Sequence, residues 1–192
     1  MFLKHLGEGM FLSEDNILEG LKRNDADALK TLVDRYYTQL CVYSVQYTDS
    51  LEAAEDIVQD FFVNMWEKKL HLTIKTNLKS FLFTSIRNAS VDYLRKNRPY
   101  TFIEIEENAY VADYEVEENE LEEQRRLLSH YLQQLSPQEY RVLMEIVVHN
   151  KKYKEVADEM GISVNTVKTH LSRALKYLRK CPFISLASLF YL

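Results

Sequence analysis

The stretch KKYKEVADEMGISVNTVKTHLSRALKYLRK, residues 151–180, decides how the rest of the chain is read. Its first half places Tyr153, Val156, Ala157 and Met160 on one side of a helix. Gly161 follows, where a tight turn needs the positive φ that glycine adopts at least cost. Ile162 is apolar inside that turn, and the Ser163 hydroxyl is placed to cap a second helix. The second helix repeats Val164, Val167, Leu171, Ala174, Leu175 and Leu178 on its apolar side. Two helices joined by a short glycine turn, the second amphipathic, make a helix-turn-helix.

Turning the second helix by about 100° per residue shows what it offers to solvent. Opposite the apolar stripe lie Asn165, Thr169, Ser172, Arg173 and Lys176, with Thr166 and Lys168 on the flanks. No acid occurs from Ser163 to Lys180. Hydroxyls, an amide and cations suit the base edges and phosphates of a major groove. A plain solvated face would also be rich in lysine. The glycine turn, the capped second helix and the missing acids favour DNA.

Working outward, breakers are few. Of four glycines only Gly161 lies beyond Gly20, and Pro99, Pro137 and Pro182 each fall where a helical pattern stops or starts. With no sustained period-two alternation, the chain reads as all-α. One helix is expected from near Ser13 to about Arg23 and a second from Asp25, carrying Leu29, Leu32, Val33, Tyr36, Tyr37, Leu40 and Tyr43. Thr48-Asp49-Ser50 breaks it, and Asp49 with Glu52 reads as an Asp-x-x-Glu capping box. The third helix has an aliphatic and aromatic stripe with acids opposite, and the fourth runs from about Leu78 to Asn97. On that fourth helix Leu82, Ile86, Ala89 and Tyr93 are expected inward, and Thr84, Asn88, Val91 and Arg95 outward. Aromatic residues interleaved with its bases are compatible with stacking on unpaired bases, although Phe83 and Tyr93 read better as core. A further helix starts near Leu121, and Ser136-Pro137-Gln138-Glu139 supplies N-cap, N1 proline and N3 glutamate for the next.

Charge divides the chain more sharply than the net value of −5 suggests. Residues 1–98 are nearly balanced, 99–123 hold 10 acids and no base, and 124–192 hold 11 bases against 5 acids. An acidic stretch thus conceals a basic C-terminal part, so the overall acidity does not exclude a nucleic-acid partner. These shifts give four segments: a helical domain over 12–98, an acidic linker over 99–120, a helix-turn-helix domain over 121–180 and an apolar tail over 181–192. Like-charge repulsion should keep the linker extended and repel DNA from the free chain. A hydrophobic fraction of 46% is that of a folded chain rather than a disordered one. Two cysteines, Cys41 and Cys181, make neither a disulfide scaffold nor a four-thiolate zinc site. Neither the opening MFLKHLGEGMFL nor the closing CPFISLASLFYL reads as a signal or a span, so a cytoplasmic location is expected.

The runs AEDIVQDFFVNMWEK, FLFTSIRNASVDYLRK and LSPQEYRVLMEIVVHNKKYKEVADEMGISVNTVKTHLSRALKYLR occur in this order over about residues 12–180. Together they resemble an extracytoplasmic-function sigma factor, the compact branch of the sigma-70 family. The resemblance implies a sigma region 2-like bundle that binds core RNA polymerase and melts the −10 element, and a sigma region 4-like domain that reads the −35 element as duplex. It implies polymerase binding at Asp56, Gln59 and Asp60, with Asn88 and Arg95 at the −10 strand, to which the outward face of the fourth helix adds Thr84. It also implies −35 contacts from Lys168, Thr169, Ser172 and Arg173, to which the outward face of the same helix adds Asn165, Thr166 and Lys176, and an anti-sigma factor as a further partner. No catalytic residue, metal, cofactor or small-molecule substrate is expected. Two other classes remain open: a stand-alone helix-turn-helix regulator, and a nucleic-acid enzyme such as a nuclease. The histidines lack metal-ligand spacing and no Walker or H-E-x-x-H motif occurs, which counts against the enzyme.

Overall fold

Helix starts in this chain follow from short polar side chains that satisfy the first orphan backbone N–H groups. In a computed structural model, which describes residues 13–74, 77–97 and 118–180, Ser13 caps α1 (Glu14–Lys22) and Asp25 caps α2 (Ala26–Thr48). The capping box expected at Asp49 is not the one used. Asp49 instead ends α2 in the left-handed region at φ 59°, and the Ser50 hydroxyl accepts from Ala53 N–H to start α3 (Leu51–Glu67). A residue cannot close one helix in that conformation and also take the extended backbone of an N-cap. A short 3₁₀ turn (Leu70–Thr73) then leads towards α4 (Leu78–Asn97).

These four helices enclose one core, centred on Ile17, Leu21, Leu32, Leu40, Met65 and Ile86. Phe83 is buried edge-on against Tyr43, with ring centroids 5.1 Å apart, so this aromatic is core. A buried hydroxyl pair, Ser44 and Ser90 at 2.8 Å, joins α2 to α4. The inward face of α4 is Leu82, Phe83, Ile86, Ser90, Val91 and Leu94. Ala89 and Tyr93 are only half-buried, and Val91, expected outward, is buried. A helical wheel gives directions; which ones are covered depends on neighbours it does not contain.

The second unit begins with α5 (Glu118–Gln133), a few residues before the expected start. The Ser136 hydroxyl and the Glu139 carboxylate form the expected reciprocal box at the start of α6 (Pro137–Leu143). A π-helical turn over Met144–Val148 follows, closed by His149 N–H to the Met144 carbonyl at 3.0 Å. Lys151 then ties this turn to α7 (Tyr153–Met160) through Glu145 at 2.8 Å and Glu159 at 2.7 Å. Gly161 takes φ 65°, and Ser163 caps α8 (Val164–Leu178).

The two units are not separate. Val42, Val45, Leu51 and Ala54 of α2 and α3 join one apolar cluster with Val142, Ile146, Val156, Leu171 and Leu175 of the second unit. Segments 99–117 and 181–192 lie outside the described residues, and with them most of the acidic linker and the apolar tail. Among the described residues no helix is long and apolar enough to cross a membrane.

Candidate nucleic-acid interface

Helix α8 is positioned by its apolar side: Val167, Leu171, Ala174, Leu175 and Leu178 are buried, while Val164 is exposed. Val164 is the first residue of the helix, at the turn and beyond the packing that covers Val167. The opposite side carries the residues expected to meet DNA. Asn165, Thr169, Arg173 and Lys176 are exposed, and Thr166, Lys168 and Ser172 are half-buried. Two of the hydroxyls already have local partners. That of Thr166 lies 2.8 Å from the Ser163 hydroxyl, and that of Thr169 donates to the Asn165 carbonyl at 2.8 Å. The Thr169 oxygen therefore faces outward as an acceptor, suited to a base amino group.

Lys168 differs from its neighbours. Its ammonium donates to Glu55 of α3 at 2.6 Å and lies 5.2 Å from the centroid of the Tyr153 ring. The Glu55 side chain is 8% exposed and that of Lys168 39%. Burial first, then the charge of Glu55, holds the Tyr153 hydroxyl above the usual phenol range, so it stays neutral under this cation. Arg179 pairs with Asp49 at 2.9 Å on the same side of α8. Between these contacts lies a cleft of about 710 Å³, lined by Asp49, Glu52 and Glu55 on one wall and Asn165, Thr169, Arg173 and Lys176 on the other. The sequence showed both charge patterns, acids over 49–67 and an acid-free α8, but their opposition across the fold has no local signal.

The −10 candidates on α4 share an edge, because residues 84, 88 and 95 fall within about 40° of one another on the helix. Asn88 and Arg95 are exposed and Thr84 half-buried. Arg95 lies 3.8 Å from Asp92, with both side chains largely solvated. Buried Val91 borders this arc, about 20° beyond Thr84, and limits the polar edge on that side.

Asp56, Gln59 and Asp60 lie on the outer side of α3, all three exposed. Gln59 is steadied by an amide hydrogen bond to the Tyr37 hydroxyl at 3.2 Å. Val63, which sequence reasoning missed, stands in this stripe at 54% exposure. Its signal was available: an apolar residue three and four positions beyond Asp60 and Gln59 on an otherwise acidic face. An apolar centre with a charged surround is the composition of a protein-binding patch.

Comparison with known proteins bears on the whole chain. Residues 32–100 match the family described as sigma-70 region 2, and residues 125–178 match sigma-70, region 4. The chain is 27% identical over 158 residues to the RNA polymerase sigma factor YlaC of Bacillus subtilis, covering 80% of this chain and 91% of that protein. It is 25% identical over 174 residues to the ECF RNA polymerase sigma factor SigW of the same organism, covering 85% and 93%. To the ECF RNA polymerase sigma factor SigL of Mycobacterium tuberculosis it is 24% identical over 164 residues, covering 84% and 93%.

Proposed function

Since the chain belongs to the extracytoplasmic-function branch of the sigma-70 family, a non-catalytic family that directs transcription initiation with RNA polymerase, we propose that its two helical units divide promoter reading between duplex and opened strand. Helix α8 reads the −35 element in the major groove through Asn165, Thr166, Lys168, Thr169, Ser172, Arg173 and Lys176. One good bidentate base contact discriminates by about 1–3 kcal/mol, so a single helix gives useful but limited selectivity. The Thr84, Asn88 and Arg95 edge of α4 adds the rest by holding the separated −10 strand. Bases there expose edges and faces that pairing hides, so DNA that opens easily is selected.

Asp56, Gln59 and Asp60, with Val63 among them, form the polymerase-binding stripe in this proposal. The work is done in the cytoplasm, and an anti-sigma factor that masks one of these surfaces is the regulatory partner. The observation that carries the reading is the acid-free outward side of α8, fixed behind a glycine at φ 65° and a serine cap.

The test crosses two substitutions. Arg173→Ala should lower initiation at promoters that need the upstream element by about tenfold or more, the size of one lost base contact, with polymerase binding unchanged. Asp60→Ala should weaken binding to core polymerase in a pull-down titration. A matched loss of both activities in either variant would overturn the assignment. A tight, sequence-specific duplex complex of the unaltered chain without polymerase would point to a stand-alone regulator instead.

A further inference from the structure

Val164 is the member of the α8 apolar repeat that the fold leaves uncovered. It is 38% exposed, whereas Val167, Leu171, Ala174, Leu175 and Leu178 are each at most 1% exposed. Those five belong to the apolar cluster of the second unit and Ile162 packs against it, but Val164 has no place in it. A single exposed valine on a plain surface needs no explanation. Here its position supplies one. It is the first residue of α8, and the N-terminal residues of a recognition helix are those that reach base edges. Around the helix it stands about 40° from Lys168 and about 60° from Val167, at the border of the outward arc.

Its neighbours define what it offers. The Ser163 hydroxyl accepts from Thr166 N–H at 3.0 Å and lies 2.8 Å from the Thr166 hydroxyl, so the nearest hydroxyls are committed to the helix start. The first turn therefore presents an isopropyl group beside a carboxamide, exposed Val164 next to exposed Asn165. In a major groove that combination matches an A·T pair. Asparagine is bidentate to adenine N6 and N7, and an apolar side chain packs on the thymine C5-methyl. A G·C pair carries no methyl and presents the cytosine amino group, which valine would desolvate without giving it a partner.

We propose that Val164 is a specificity-determining residue of the −35 reader, packed on the C5-methyl of a thymine within one base-pair step of the adenine that Asn165 contacts. The inference rests on the reading of α8 as the −35 helix. The spacing permits it, since successive Cα atoms are about 3.8 Å apart and successive bases about 3.4 Å. The contact carries no charge. It changes which duplex is preferred without adding to the salt-dependent attraction that Arg173 and Lys176 give to every duplex.

The test uses the full chain on core polymerase and a promoter mapped by transcription. Thymines of the upstream element are replaced one at a time by deoxyuridine, which keeps the pairing and removes only the C5-methyl. One replacement should lower holoenzyme affinity for the promoter about fourfold, the effect of burying about one methyl group less. Val164→Ala should lose a similar factor on the unmodified promoter, be indifferent to that one replacement and keep the salt dependence of the unaltered chain. Its binding to core polymerase should be unchanged. Should the alanine variant lose its helical circular dichroism, Val164→Thr decides, with a smaller loss at the same thymine. Three results would overturn the role of Val164: an upstream element without an A·T pair, insensitivity to every replacement, or equal losses for Val164→Ala on thymine and uracil promoters. Each leaves the −35 reading intact while Arg173→Ala still lowers initiation. Initiation indifferent to Arg173→Ala would instead bring down the −35 reading itself.

Discussion

Gly20 and Ala28 show how tightly two residues can fix an angle between helices. A Cβ placed on Gly20 would meet the Ala28 Cβ at 2.6 Å, well inside van der Waals contact. The close approach of α1 to α2 therefore depends on one residue having no side chain and its neighbour only a methyl. Gly20→Ala should destabilise the chain by about 1–3 kcal/mol, the range for forcing extra volume into a packed site. Adding Ala28→Gly should recover much of that loss in a urea melt. If the double substitution is no better than the single one, the contact does not set the helix approach. Gly161 illustrates a different need, backbone rather than space, since nothing lies within 4 Å of where its Cβ would be. That turn was legible in the sequence because a glycine between two amphipathic helices marks the point where the backbone turns left-handed. The steric role of Gly20 was not, because it depends on a residue eight positions away on another helix.

At the scale of elements, local chemistry was largely readable and lateral packing was not. Caps at Ser13, Asp25, Ser136 and Ser163 involve atoms within three residues of each other, so the pattern alone identifies them. The Asp49–Glu52 pattern misled because Ser50, one residue on, was the better-placed cap. Val91 and Val164 misled because burial is decided by whatever lies alongside a helix. The π-helical turn before α7 had no sequence signature, yet it sets up an ion-pair arrangement with a testable pH dependence. Hydrogen bonding to Lys151 holds the Glu145 carboxyl below its usual range, and Glu145 followed by Glu159 holds the Lys151 ammonium above its own. A carboxylate whose folded-state pKa is depressed stabilises fully above its unfolded pKa and stops doing so as pH falls through the folded value. The lysine contributes below its ordinary range and loses that contribution only in strong alkali. Lys151→Met should therefore lower Tm at neutral pH, and the gap to the unaltered chain should close in acid below the ordinary carboxylate range. A gap that persists there would mean that Lys151 stabilises by packing rather than by charge.

Across the whole molecule, the all-helical class, the order of its two units and the helix-turn-helix were within reach of sequence reasoning, because each rests on periodicity and punctuation. The candidate site was legible only as two unrelated faces, one on α3 with α4 and one on α8. Their opposition across a cleft arises from contacts between residues more than a hundred positions apart, such as Glu55 with Lys168. In the proposed reading, the same placement joins polymerase docking and duplex reading in one small chain: the stripe on α3 is offered to the enzyme, its neighbouring edge contacts α8, and both surfaces are needed for a start site to be chosen. Mapping RNA 5′ ends made by core polymerase on genomic fragments, with and without the purified chain, tests this account most directly. New starts should appear only when the chain is added, each preceded by a shared pair of upstream elements, and they should vanish when Asp60 and Arg173 are both replaced by alanine. An unchanged set of starts, with the chain present in excess over polymerase, would contradict it.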